Sequence, residues 1–121
     1  MSNVLELTDE TFDQETSQPG LTVVDFWAPW CGPCRAMAPQ IERAAGLRPQ
    51  HRFAKVNVDE NPALASAYGV RAIPTLAILR DGKLLGTAPG LVRSDELVAA
   101  LDRLAAEAAG TPTASGAAGR A

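Results

Sequence analysis

Apolar residues along this chain switch between two spacings, runs that suit strands and stripes that suit helices. Leu5 and Leu7 fall two apart, as on one face of a short first strand, and Thr8 before Asp9-Glu10-Thr11-Phe12 reads as a capped helix start. Gln18-Pro19-Gly20 is a turn. The next run, Leu21-Thr22-Val23-Val24-Asp25-Phe26-Trp27, is short, rich in β-branched and aromatic residues, and followed by Ala28-Pro29. That composition predicts a buried strand stopping at a turn. From Cys34 onward Met37, Ala38, Ile41 and Ala45 recur at helical spacing, and Pro49 disfavours helical backbone at Arg48, so a helix should end near Leu47. Pro39 lies inside that pattern and is expected to kink it, since it removes one backbone bond and crowds the preceding turn.

The second half repeats the alternation. Residues 53–58 form a third strand pattern, Asp59-Glu60-Asn61-Pro62 opens a short helix through Tyr68, and residues 75–79 form another strand. Arg80-Asp81-Gly82-Lys83 carries the Asp-Gly hairpin signal, so residues 83–87 should return antiparallel. A last helix starts from a Ser94 cap, with Leu97, Leu101 and Leu104 on its buried stripe. Strands alternating with helices before a terminal hairpin imply an α/β fold, a central mixed sheet with helices on both faces.

Bulk properties narrow this picture. A chain of 121 residues holds one ordinary core and is too short for two. We therefore read one domain over residues 1–109. Residues 110–121, rich in Gly, Ala, Thr and Pro, bury too little apolar surface to order themselves and read as a flexible tail. With 21% charged residues and a net charge of −3, nothing points to nucleic acid or an anionic membrane as partner. The N-terminal stretch lacks the basic start and apolar core of a secretory signal, and no run approaches the roughly 20 apolar residues of a membrane span. A cytoplasmic monomer is expected, in a compartment where persistent disulfides are rare.

Against that background the only two cysteines stand out, in Trp30-Cys31-Gly32-Pro33-Cys34. They emerge where a strand ends and a helix begins. Unpaired N–H groups and the positive end of the helix dipole favour an anion there, which lowers the pKa of Cys31 and makes it the nucleophile. Positions i and i+3 share a helix face, and Gly32 supplies the small backbone adjustment that a disulfide between them needs. A bond closing so short a loop removes little unfolded-state entropy, so a structural staple is a poor explanation. Zinc is poorer still, since structural sites take four ligands and His51 is the only other nitrogen or sulfur ligand. His51 itself has no acidic or thiol neighbour nearby in sequence and is read as non-catalytic. Asp25 shares a strand face with Val23 and Trp27, so it should be buried with a raised pKa, and Lys55 either pairs with it across the sheet or is an ordinary solvent-facing strand lysine on the side of Asn57. Trp30, outside the strand, should be part-exposed.

The run from Asp25 through Trp30-Cys31-Gly32-Pro33-Cys34-Arg35-Ala36-Met37-Ala38-Pro39, followed by Lys55-Val56-Asn57-Val58-Asp59 and Ile73-Pro74-Thr75, strongly resembles the thioredoxin family. The likeness spans nearly everything from Leu5 to about Ala106. It implies a thioredoxin fold and a thiol-disulfide oxidoreductase that reduces client disulfides through Cys31 and the resolving Cys34. By the same resemblance Asp25 lies beneath Cys34 and helps move its proton through water, with Lys55 tuning it. The Ile73–Pro74 bond is expected to be cis, with the Ile73 backbone facing the cysteines and hydrogen bonding an extended client. Trp30, Gly32, Pro33, Gly90 and Leu91 complete the client surface. Pro89 departs from the β-branched residue common before that glycine and leaves the groove's local shape open. No bound cofactor is implied, only the redox-active disulfide. The chain has no dinucleotide-binding glycine motif, so a separate enzyme must reduce it again. The resemblance implies that this enzyme is an NADPH-dependent flavoprotein, thioredoxin reductase. Gly-Pro between the thiols resembles reductant members of the superfamily. A rival reading from another class is a binding or chaperone module that uses the same groove without redox turnover.

Overall fold

The computed structural model describes residues 3–110. Its elements run β1 (Leu5–Glu6), α1 (Phe12–Thr16), β2 (Leu21–Trp27), α2 (Gly32–Leu47), β3 (Arg52–Asn57), α3 (Pro62–Ala67), β4 (Thr75–Arg80), β5 (Lys83–Pro89) and α4 (Ser94–Gly110). The five strands form one sheet in the order β1-β3-β2-β4-β5. Parallel pairing joins β1 to β3 and β3 to β2, while β2–β4 and β4–β5 are antiparallel. This is the mixed α/β architecture read from the alternation. Of the tail read over residues 110–121, Gly110 is the last residue of α4 and residues 111–121 lie outside the described residues.

β2 is the centre of the sheet, and both of its faces are covered. Val24 and Phe26 pack with Leu7, Phe12, Ala54 and Leu79 on one side. Leu21 and Val23 meet Met37, Ile41 and Ala44 of α2 and Leu97 and Leu101 of α4 on the other. Coverage of both faces explains why this strand reads as an almost unbroken apolar run. Because Asp25 alternates with Val24 and Phe26, it points toward the α2 side, into the end of the core nearest the cysteines.

Local details differ from the sequence reading for identifiable reasons. Thr8 does not cap a helix: its N–H is taken by Thr11 Oγ1 at 3.0 Å and its carbonyl accepts the Phe12 N–H, so a turn precedes a helix that begins at Phe12. Leu5 is 46% exposed although Leu7 is buried, because β1 is a two-residue edge strand with little covering it. Ser94 is itself the first residue of α4 and Arg93 stands at the capping position: the Arg93 carbonyl accepts the first helical bond, from the Leu97 N–H, and the Glu96 side chain reaches back to accept the Arg93 N–H at 3.1 Å. β5 extends past Thr87 to Pro89, which faces Thr75 across the ladder on an edge strand, where a missing N–H is tolerated. Pro39 lies within α2, which continues through it to Leu47.

The β4–β5 turn holds its shape through backbone geometry. Asp81 and Gly82 have φ of 53° and 85°, and a Cβ on Gly82 would stand 3.2 Å from Ser17 Cα. Gly82→Ala is therefore expected to destabilise the fold by about 1–2 kcal/mol, read as a lower urea midpoint with an unchanged slope. A midpoint equal to that of the parent would show that the turn relaxes freely.

Candidate active site

The cysteines sit where β2 ends and α2 begins. Cys31 is the N-cap of α2, with extended backbone, and its Sγ accepts the Cys34 N–H at 3.2 Å, satisfying one of the unpaired donors of the first turn. Pro33 occupies that turn, where its missing N–H leaves nothing unmade. The two sulfurs form a disulfide with Cα atoms 5.2 Å apart. Both residues are 4% exposed, packed with Ala28 and flanked by Trp27, Val58 and Ile73. The cap geometry distinguishes Cys31 from Cys34.

Three elements converge on the pair. Ile73–Pro74 is cis, and the Ile73 carbonyl oxygen lies 3.7 Å from Cys31 Sγ. Gly90, just past β5, donates its N–H to the Pro74 carbonyl at 2.8 Å, which sets Gly90 and the exposed Leu91 beside the same loop. On the opposite side a cavity of about 340 Å³ is lined by Asp25, Lys55, Trp27, Cys34 and Arg35. Asp25 is 5% exposed and its Oδ1 has no hydrogen-bond partner. Burial raises its pKa to about 6, and the positive charge of Lys55 works against that rise. Asp25 and Lys55 are direct register partners on β2 and β3, so their side chains leave the sheet on one face. Lys55 Nζ stands 5.4 Å from the Trp27 ring centroid, within range of a cation–π attraction that keeps the ammonium near this cavity. Among the described residues no group of three or more His, Cys, Asp or Glu is placed to hold a metal ion.

The thioredoxin family model matches residues 3–103 of this chain. The chain belongs to the thioredoxin family. It is 48% identical over 105 residues to thioredoxin 1 of Synechococcus elongatus, covering 85% of this chain and 98% of that protein. With the thioredoxin of Listeria monocytogenes it shares 47% identity over 95 residues, 78% of this chain and 91% of the other. A solved chain from a study of thiol resolution in yeast mitochondrial 1-Cys peroxiredoxin via glutathione and thioredoxin systems superposes with a TM-score of 0.75 at 33% identity, covering 83% of this chain and 94% of its own. Like these thioredoxins the protein is a thiol-disulfide oxidoreductase, a disulfide reductase whose redox-active centre is the Cys31–Cys34 disulfide. Membership also implies a thioredoxin reductase and client proteins as partners in general terms.

Within this thioredoxin site, Trp30 is the most exposed aromatic, at 67%, and its indole Nε1–H donates to Asp59 Oδ2 at 2.9 Å. Asp59 is in turn placed by its own N–H, which donates to Asn57 Oδ1 at 2.9 Å. Sequence reasoning passed over Asp59. Its signal was positional, since β3 runs parallel to β2 and both strands end at the same rim, with the Val58 N–H donating to the Trp27 carbonyl at 2.8 Å. Arg35 folds back the other way, its guanidinium donating to the Pro29 carbonyl at 3.1 Å. His51, with its pKa lowered chiefly by burial, stands beside Arg48 and Asp102 and takes no part in the cysteine site. Among the described residues no helix is long and apolar enough to cross a membrane.

Proposed function

We propose that Cys31 is the attacking thiolate and Cys34 the resolving thiol of a reductant that passes electrons from an NADPH-dependent flavoprotein reductase to client disulfides. The observation that carries this reading is the capped sulfur of Cys31 at the N-terminus of α2, where the first-turn N–H of Cys34 and the helix dipole both favour an anion. In the reduced protein the Cys31 thiolate attacks one sulfur of a client disulfide, forming a mixed disulfide and releasing the first client thiolate. Cys34 then loses its proton to the Asp25 carboxylate, through water in the cavity they share, and attacks Cys31 Sγ. This forms the Cys31–Cys34 bond and frees the second client thiolate. Two electrons have moved from the dithiol to the client, and the released thiolates take up the protons.

The client surface comprises Trp30, Gly32, Pro33, Ile73, Pro74, Gly90 and Leu91. An extended client adds to the exposed backbone beside Ile73 while Trp30 and Leu91 cover its side chains. Lys55 tunes Asp25, because its positive charge keeps the carboxyl from rising further. The protein works as a monomer in the cytoplasm, where such a dithiol is kept reduced. Insulin reduction in the presence of NADPH and a thioredoxin reductase tests the whole cycle. NADPH oxidation that depends on this protein together with insulin is the expected result, and NADPH oxidation no faster than with the reductase alone would reject the reductant reading.

A further inference from the structure

The segment joining β5 to α4 is held by an unusual set of acceptors. Gly90 donates its N–H to the Pro74 carbonyl at 2.8 Å, Val92 to Met37 Sδ at 3.3 Å, Arg93 to Glu96 Oε1 at 3.1 Å and Ser94 to Gln40 Oε1 at 2.7 Å. Two of these acceptors, Met37 and Gln40, are side chains of α2. They follow Cys34 at successive steps of three residues, so all three side chains lie along one winding line on the helix surface. Met37 is fully buried, Gln40 half-buried. A thioether is a weak acceptor and a glutamine side chain is costly to order, yet without them the N–H groups of Val92 and Ser94, on either side of Arg93, would lose these protein partners.

We propose that Met37 and Gln40 are positioning residues for client binding, tying the 90–94 segment to the helix that carries Cys34. The inference rests on the reading of Gly90 and Leu91 as part of the client groove. One wall of that groove, at Ile73, immediately precedes β4. The other, at Leu91, is tied on its N-terminal side by the Gly90–Pro74 bond and on its C-terminal side only through Val92 and Ser94 to α2, so the two α2 side chains fix where this wall stands relative to the cysteines. Releasing the loop leaves the sulfur chemistry intact but makes client binding order the loop first, and that entropy cost falls on association. The signature is a raised KM with little change in kcat.

The test compares Met37→Leu, Gln40→Ala and their double variant in steady-state insulin reduction coupled to thioredoxin reductase. Leucine keeps the volume of Met37 while removing its acceptor. Each single change is expected to raise KM about three- to tenfold, the size of one lost hydrogen bond, with kcat within about twofold. Gln40→Glu, which keeps an acceptor oxygen, should restore the parental KM. Amide exchange at Val92 and Ser94 should quicken in the matching variants while exchange in β2 stays slow, which separates loop release from general unfolding. Leu91→Asp serves as the control for the groove. Should Leu91→Asp raise KM while the α2 variants do not, this inference falls and the groove stands. Should neither raise it, the groove reading itself is wrong. A double variant that lowers kcat at constant KM would also overturn the proposal.

Discussion

Cys31→Ser should abolish insulin reduction, lowering turnover by more than about a thousandfold, because a serine hydroxyl neither ionises near neutral pH nor forms a bond that exchanges with disulfides. Cys34→Ser should fail differently. Its Cys31 thiolate still attacks, so one client thiol is released per protein and the mixed disulfide then accumulates, visible as a reducible adduct on a non-reducing gel. Each variant removes one step of a two-step exchange, and together they assign the order of attack. The same pair of variants decides against a groove that only binds. A binding module would retain its cellular role in both serine variants, whereas a reductase loses it in both. If the Cys34→Ser protein forms no adduct while Cys31→Ser does, the roles of the two sulfurs are reversed and the cap geometry at Cys31 is not what selects the nucleophile.

Much of this site is legible in the amino-acid sequence, for reasons that are local. Cys31 and Cys34 are close in sequence, and their placement between a strand run and a helix stripe sets their geometry through short-range backbone rules. Burial of Asp25 followed from alternation along one strand. Pairing of Asp25 with Lys55 was less accessible, since it requires the register of two strands about thirty positions apart, which the pattern suggests but does not determine. The cis bond before Pro74 came from the family resemblance, because a free-energy difference of only about 0.5–1 kcal/mol between prolyl isomers leaves no sequence signal of its own. Where the reading slipped, a local competitor won: Thr8 and Thr11 bond to each other and delay α1, and Glu96 reaches back to Arg93 ahead of any Ser94 cap. Long-range side-chain bonds such as Trp30 to Asp59 and Gln40 to Ser94 left no mark on the pattern, since neither residue type is restricted to such a role.

Asp25→Asn should stabilise the protein at neutral pH and slow the second step of exchange. The carboxyl has a folded-state pKa of about 6 against 3.8 for an ordinary aspartate, the cause being burial, only partly offset by Lys55. An acid whose pKa is raised on folding binds its proton more tightly in the native state, so no stability is lost while both states are protonated, below the lower value. As pH rises through the window between the two values the unfolded chain ionises first, and stability falls until the folded carboxyl has ionised as well. Above about pH 7 the full cost applies, roughly 3 kcal/mol. Asparagine fills the same space with no charge to desolvate, so urea midpoints of parent and variant should nearly coincide at about pH 4 and separate at about pH 8. An equal separation at both would mean that packing, not the buried charge, is responsible. The kinetic side has the opposite sign. With no carboxylate to accept the Cys34 proton, resolution of the mixed disulfide should slow by about tenfold to a hundredfold, while the first attack by Cys31 keeps its rate. A charge shown to burden the fold at working pH and to speed only resolution would be accounted for by that step, and the two measurements together separate the proposed role from a mere imperfection of the core.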